Sequence, residues 1–279
     1  MGFENIKVFW QGGAPTNEEL KNFFLKLDIN IFECYGLSET CGIFVSGPSL
    51  KNLKAIGKPF ECELDIYSQN DDGEGEIRVR SRQRFMGYVD DFEATLSCIS
   101  KDQWFKTGDI GRLTEDGLLE ITGRKKEILI TSGGENIPPY HIESLILSEL
   151  PGLSNAIVVG NRRKYLTCLV SIKTHFDVET GRPVDDLLPQ AVEWMRSLNL
   201  KYTKLSEIIK AGPCPVVMED LQNGLHRVNL KALSNAQKVQ KVAMLPHDFS
   251  VSTGELTSTL KIQRGLVEKI YEQLIDSLY

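Results

Sequence analysis

The chain has 279 residues, of which 41% are hydrophobic and 25% charged, and a formal net charge of -6; that length suits about two domains and a sizeable core with no need of disulfides or a structural metal. The acidic balance, with a pI of about 5.4, argues against a general nucleic-acid binder. No apolar run approaches the ~20 residues that span a bilayer, and residues 1–7 lack the charged start and apolar run of a signal peptide.

In chain order, Ile6–Trp10 is strand-like and runs into Gly12-Gly13-Ala14-Pro15. Thr16-Asn17-Glu18-Glu19 matches a capping box, and Leu20, Phe23, Phe24 and Leu27 recur at helical spacing, which predicts an amphipathic helix over 17–27. Ile31–Tyr35 reads as the next strand. A strand–helix–strand start is an α/β signature. A parallel strand needs neighbours, so the opening reads as the middle of a domain.

Residues 63–123 change character. Glu63–Tyr67 and Gly75–Arg80 alternate polar and apolar residues around an Asn70-Asp71-Asp72-Gly73 turn, and Gly117–Gly123 is a further short strand. They predict a small antiparallel sheet or barrel. Beyond Lys126 the pattern is α+β: a strand at Ile128–Ile130, a helix after Pro138-Pro139 bearing Ile142, Leu145, Ile146 and Leu150, and strands at Ala156–Val159 and Leu166–Ile172. Residues 187–235 are mostly helical, with breaks at Gly212-Pro213 and Pro215. Leu266, Val267, Ile270, Tyr271, Leu274 and Leu278 form one apolar stripe for core packing. The domains expected are therefore 1–125 and 126–279.

The six cysteines are scattered with no Cys-x-x-Cys, and the four histidines are equally dispersed, so no zinc-ligand pattern is present. The cysteines read as reduced thiols of a cytoplasmic protein. Composition leaves peripheral contact with a membrane, such as the endoplasmic reticulum, open, and sets no oligomeric state.

Four short segments carry candidate chemistry. Tyr35-Gly36-Leu37-Ser38-Glu39-Thr40 offers a ring that can stack on a base, a hydroxyl for a phosphate and a carboxylate for Mg²⁺. Thr107-Gly108-Asp109 reads as a tight turn whose carboxylate can accept from both ribose hydroxyls. Gly123-Arg124-Lys125-Lys126-Glu127 leads to the Thr131-Ser132-Gly133-Gly134 loop, which suits a hinge and a close backbone approach to a ligand. Leu256-Thr257-Ser258-Thr259-Leu260-Lys261 precedes the last helix. Each segment alone is equally an ordinary turn or solvated edge.

Their order and spacing together resemble the adenylate-forming superfamily of acyl-CoA synthetases, peptide-synthetase adenylation domains and beetle luciferases. Gly12, Gly13, Ala14 and Pro15 look like the adenine-side segment. Tyr35 to Thr40 look like the Tyr-Gly-x-Thr-Glu motif, with Ser38 in the threonine place. Asp109 and Arg124 match the ribose-binding pair, Lys126 the hinge and Lys261 the catalytic lysine. The run from Ile128 to Glu143, Arg227-Val228-Asn229 and the stretch from Phe249 to Lys261 resemble the bubblegum-type long- and very-long-chain acyl-CoA synthetases.

The resemblance implies a fatty acid–CoA ligase with ATP, Mg²⁺ and CoA. It implies part of a large adenylate-binding domain followed by a mobile lid. Glu39 would hold Mg²⁺, Ser38 the α-phosphate, and Tyr35 would stack on adenine with Gly36 beside it. Lys261 would contact carboxylate and phosphate oxygens, and the lid would turn about Lys126 to bring Gly133 and Gly134 to the pantetheine arm.

One departure is marked. The family's Ser/Thr/Gly-rich phosphate loop ending Gly-x-Pro-Lys has no counterpart in these residues, nor has the acyl tunnel. The chain is thus expected to be the C-terminal part of a longer enzyme, as a fragment or short isoform. Three readings follow: a long-chain fatty acid–CoA ligase, a truncated non-catalytic interaction or regulatory protein, or another adenylating enzyme such as a peptide-synthetase module.

Overall fold

A computed structural model of the chain describes residues 2–13, 16, 18–47, 52–210 and 212–279. It divides into two units, Met1–Lys126 and Glu127–Tyr279.

The first unit opens on β1 (Phe9–Gly12), α1 (Glu18–Leu25) and β2 (Ile31–Leu37). β1 and β2 pair in parallel, with Phe9 opposite Ile31 and Gly12 opposite Cys34, the arrangement a helical crossover allows. The strand expected at Ile6 starts only at Phe9. The expected capping box falls partly on Asn17, outside the described residues; the Thr16 amide donates to Glu33 Oε1 (2.7 Å). α1 presents Leu20 and Phe23 to solvent, and its tie to the sheet is polar. Buried Lys21 donates to Glu33 Oε2 (2.5 Å) and to the Leu53 carbonyl (2.5 Å). Two strands absent from the sequence reading, β3 (Gly42–Gly47) and β4 (Lys58–Pro59), continue this sheet antiparallel.

The second sheet is a meander: β5 (Glu63–Tyr67), β6 (Gly75–Arg80), β7 (Phe105–Leu113) and β8 (Leu119–Arg124), with α2 (Phe92–Cys98) between β6 and β7. Its order is β5-β6-β7-β8, an open sheet and not a closed barrel. Asn70 makes the first turn, its Oδ1 accepting from the Asp72 and Glu74 amides (3.0 and 2.9 Å). β7 corrects one expectation. Thr107-Gly108-Asp109 is not a turn between elements but a kink inside a nine-residue strand. The β6–β7 register slips between Glu76 and Arg78, and Gly108 takes φ +75°, the bulge geometry that glycine supplies without a Cβ penalty. Both sheets share one core, with Tyr35, Phe44 and Val45 from the first and Ile66, Ile77, Val79, Phe105 and Leu119 from the second.

The second unit contains β9 (Leu129–Ile130), β10 (Asn136–Ile137), α3 (Pro139–Glu149), β11 (Leu153–Val159), β12 (Leu166–Ile172), β13 (Thr174–Phe176) and β14 (Pro183–Leu187). They are followed by α4 (Pro189–Ser197), α5 (Leu205–Ile209), α6 (Pro215–Asn229), β15 (Val239–Met244), α7 (Arg264–Ile270) and α8 (Glu272–Ser277). The sheet order is β11-β12-β15, antiparallel then parallel. All seven residues of β12 are buried, as a central strand covered on both faces requires. Leu166, Cys168, Val170 and Ile172 join the core under α3, α4 and α6. Leu169 faces the opposite cluster with Val267, Tyr271 and Ile275. Pro215 opens α6 at its first position, where its missing N–H costs nothing. The expected last helix is two short ones meeting at Tyr271, and only part of its apolar stripe is inside: Leu266 and Ile270 are exposed. Among the described residues, no helix is long and apolar enough to cross a membrane.

Candidate active site

In the first unit, the parallel β1–β2 pair sets Gly12 beside Cys34, so Gly13 and the Tyr35–Gly36 step lie at the carboxyl ends of adjacent strands, where open α/β sheets bind ligands. Gly13 has φ +92° and open space where a Cβ would stand. Ala14 and Pro15 lie outside the described residues.

Tyr35 is buried. Its ring lies 4.8 Å from that of Phe44, and its hydroxyl donates to Asp109 Oδ2 at 2.6 Å. Burial first, then the Asp109 carboxylate, pushes this phenol well above its usual range. Asp109 sits directly across from Arg124 in the β7–β8 ladder, and Arg124 Nε donates to Asp109 Oδ1 at 3.0 Å. The Asp109 side chain is 6% exposed while the arginine side chain is 45% exposed. Asp109 is therefore held on one oxygen by Tyr35 and on the other by Arg124, whose guanidinium reaches solvent. Each oxygen keeps lone-pair capacity for a further donor. The Asp109 amide donates to Thr107 Oγ1 (3.1 Å), and that hydroxyl donates to the Ile77 carbonyl (2.8 Å). The bulge thus holds the carboxylate in place.

Gly36 has a steric role in the strand pair. A Cβ there would stand 2.2 Å from the Gly42 carbonyl oxygen. Ser38, Glu39 and Thr40 form a single 3₁₀ turn after β2. Thr40 Oγ1 accepts from the Leu37 amide at 2.9 Å, which closes the turn, and Ser38 is left exposed. Glu39 Oε1 accepts from the Tyr88 hydroxyl at 2.8 Å. Burial first, then that carboxylate, pushes Tyr88 up to about 12. Lys126 is exposed in the turn that ends the first unit.

In the second unit, Gly133 and Gly134 form the exposed tip of the β9–β10 hairpin, with Gly134 at φ +82°. The nearest atom to a Cβ on Gly133 would be Thr131 Oγ1 at 3.7 Å, and Gly134 has none within 4 Å, so a ligand could approach the backbone closely. Lys261 is exposed on a tight turn. Its amide donates to Thr257 Oγ1 (3.0 Å) and its carbonyl accepts from the Thr257 amide (2.8 Å). Three residues on, Arg264 donates to Glu143 Oε1 (2.6 Å) and to the Val158 carbonyl (2.8 Å). The lysine turn is thereby pinned to α3 and β11.

The structure thus joins Tyr35, Asp109 and Arg124 into one hydrogen-bonded group, with Gly36 next to Tyr35 on β2 and Gly12 and Gly13 at the end of the neighbouring β1. Residues 2–89 match the family of AMP-binding enzymes, and residues 126–217 match the AMP-binding enzyme C-terminal domain. The chain belongs to the adenylate-forming superfamily. It is 44% identical to the long-chain-fatty-acid–CoA ligase heimdall of Drosophila melanogaster, over 100% of this chain and 44% of that protein. It is 40% identical to the long-chain-fatty-acid–CoA ligase ACSBG1 of Homo sapiens, over 100% of this chain and 39% of that protein. These are bubblegum-type relatives, and the chain spans less than half of their length. Among solved structures, the adenylation domain of a carboxylic acid reductase from Segniliparus rugosus, in complex with AMP and a co-purified carboxylic acid, matches with a TM-score of 0.73 and 19% identity. That match covers 98% of this chain and 39% of that one. The o-succinylbenzoate CoA synthetase of Bacillus subtilis, in complex with its acyl-adenylate, matches with a TM-score of 0.69 and 22% identity, covering 95% and 46%. Both show the adenylate-forming fold.

Three side chains of this adenylate-forming chain escaped the sequence reading as site residues. Tyr88 lies 49 positions from Glu39, in a segment with no periodic signal. Glu143 figures only in the run that carries the resemblance and Arg264 has no role there, and only their burial together marks them as a fixed pair.

Proposed function

We propose that this chain provides the nucleotide-binding and lid parts of an ATP-dependent long-chain fatty acid–CoA ligase. The observation that carries the reading is the Asp109 carboxylate, held on one oxygen by Tyr35 and on the other by Arg124. That arrangement suits a ribose, because two hydroxyls can donate to a carboxylate whose position is already set. Tyr35 and the Gly12–Gly13 segment border the base, and Arg124 reaches the same sugar. The resemblance to ligases over the whole chain supplies the substrate class.

In the first half-reaction a fatty-acid carboxylate oxygen attacks the α-phosphorus of ATP, and pyrophosphate leaves with the bonding pair. In the second, the CoA sulfur attacks the acyl carbon, the thiol proton is lost to solvent, and AMP leaves. Both reactants of the first step are anions. Lys261 places a cation between them, which lowers the barrier most where charge is shared in the transition state. Ser38 donates to the α-phosphate. Among the described residues, no group of three or more His, Cys, Asp or Glu could hold a metal ion. A single carboxylate still fits Mg²⁺, which keeps its waters and shares nucleotide phosphates in preference to an all-protein cage. Glu39 would be that ligand, and the ion when bound screens the phosphate charge. Lys126 serves as the hinge about which the second unit turns. That motion withdraws Lys261 and brings the Gly133–Gly134 tip to the pantetheine arm.

These 279 residues contain no Ser/Thr/Gly-rich phosphate loop. We therefore expect the chain by itself to bind AMP and to exchange ATP with pyrophosphate weakly or not at all. Calorimetric titration of AMP against the chain and its Asp109→Ala variant tests the site, and equal binding by the two would overturn it. Robust fatty-acid-dependent exchange that Lys261→Ala abolishes would overturn the expected weakness. AMP binding with no partial reaction, when oleoyl-adenylate and CoA are supplied, would favour the non-catalytic reading.

A further inference from the structure

We propose that Tyr88 is a positioning residue for Glu39, holding its carboxylate in the orientation that meets a nucleotide-bound divalent cation. The proposal rests on the reading above, in which Glu39 is the metal-side carboxylate. Glu39 stands on a 3₁₀ turn of only three residues, and a glutamate there has three free rotors. The structure grips it twice from one segment. The Phe85 amide donates to the Glu39 carbonyl (2.8 Å), and the Tyr88 hydroxyl donates to its Oε1 (2.8 Å).

Tyr88 is itself fixed. Its amide donates to Thr95 Oγ1 of α2 (2.9 Å), and its ring meets Phe85 edge-on at 5.0 Å. Phe85 in turn packs edge-on against Phe105 of β7 at 5.6 Å. Gly87 makes this path possible. It takes φ +155°, and a Cβ there would stand 2.7 Å from Thr95 Cγ2. The path from the core to the carboxylate is continuous: Phe105, Phe85, Tyr88, Glu39. A phenol takes one lone pair of one carboxylate oxygen, so the carboxylate retains acceptor sites for a cation. Pinning the side chain beforehand removes the rotamer entropy that a metal would otherwise have to freeze.

The test compares the 279-residue chain with Tyr88→Phe, which keeps the ring packing and removes only the donor, and with Glu39→Gln. Mn²⁺ bound in the presence of ATP is read by electron paramagnetic resonance, and AMP affinity is measured without metal. Tyr88→Phe should weaken Mn²⁺ retention about threefold to tenfold, the range of one hydrogen bond, with metal-free AMP affinity unchanged. Glu39→Gln should lose the metal more completely. Retention by Tyr88→Phe equal to the parent, with loss in Glu39→Gln, overturns the role of Tyr88 and leaves the ligase reading standing. Retention unaffected by Glu39→Gln overturns the metal reading of Glu39 and the proposal with it. Equal weakening of metal-free AMP binding in Tyr88→Phe would show a general structural role and also overturn it. A crystal structure of Tyr88→Phe with the Glu39 carboxylate in its present orientation would do the same without any ligand.

Discussion

Tyr35 and Asp109 stand 74 positions apart in sequence and 2.6 Å apart in space, phenol hydroxyl to carboxylate. The contact brings together the two sheets of the first unit, since Tyr35 belongs to β2 and Asp109 to β7. It makes one group both a core residue and a support for the candidate ribose carboxylate.

Tyr35→Phe therefore has two expected effects. A hydrogen bond to a charged acceptor contributes about 1.5–3 kcal/mol, so the first unit should lose stability on that scale in urea titration. AMP affinity should fall about tenfold, because Asp109 keeps only Arg124 and gains freedom. A variant with the parent's midpoint and the parent's AMP affinity would show that the contact does neither.

Gly36 inside β2 and Gly133 at the β9–β10 tip should respond differently to alanine. Gly36→Ala forces a Cβ to within 2.2 Å of the Gly42 carbonyl oxygen, and backbone cannot yield as a side-chain tip can. A loss of ~2 kcal/mol or more, or failure to accumulate as a folded protein, is expected. Gly133→Ala meets nothing closer than 3.7 Å and should change stability by less than ~0.5 kcal/mol. Thermal melts of the pair decide this, and similar losses in both would refute the packing account of Gly36.

The Glu143–Arg264 ion pair is mostly buried, at 11% and 15% side-chain exposure, with a 2.6 Å contact. Removing one partner strands the other charge, at a cost of about 3–5 kcal/mol. Arg264→Met should therefore destabilise the second unit strongly. Glu143→Leu combined with Arg264→Met should recover much of that loss. A double-mutant cycle in denaturant measures it, and additive losses would contradict the coupling.

Asp185 supplies a pH signature. The Ser206 hydroxyl and amide both donate to its carboxylate (2.6 and 2.7 Å), and the hydroxyl bond foremost holds the carboxyl below its ordinary value. The folded value is the depressed one, so the stabilisation is complete above the unfolded value of about 3.9. It is lost as the pH falls through the folded value. Asp185→Asn should flatten the acid limb of the second unit's stability profile and leave its shape near neutrality alone. An acid limb as steep as the parent's would exclude Asp185 as a contributor.

Much of the architecture was legible because local chemistry and tertiary packing agree there. The alternation in Glu63–Tyr67 and Gly75–Arg80 and the Asn70–Gly73 turn became β5 and β6 with those bounds. Pro138-Pro139 and the Ile142/Ile146/Leu150 spacing became α3, with those three side chains buried. The strands that escaped are ones whose pattern is not periodic. β7 carries Lys106-Thr107-Gly108-Asp109 in its middle, because a bulge tolerates residues that a regular strand would not. Likewise α7 and α8 share one apolar stripe, yet the chain breaks at Tyr271, a tertiary choice that helical spacing does not encode.

The sequence by itself determined the superfamily, the candidate residues and their order, because loop chemistry of this kind depends on residue type and spacing. Only the tertiary structure decided which of those residues support one another. Asp109 finds Tyr35 and Arg124, and Glu39 finds Tyr88, through pairings across strands and loops. Such pairings depend on strand register and core packing over long sequence separations, and no local pattern carries that information.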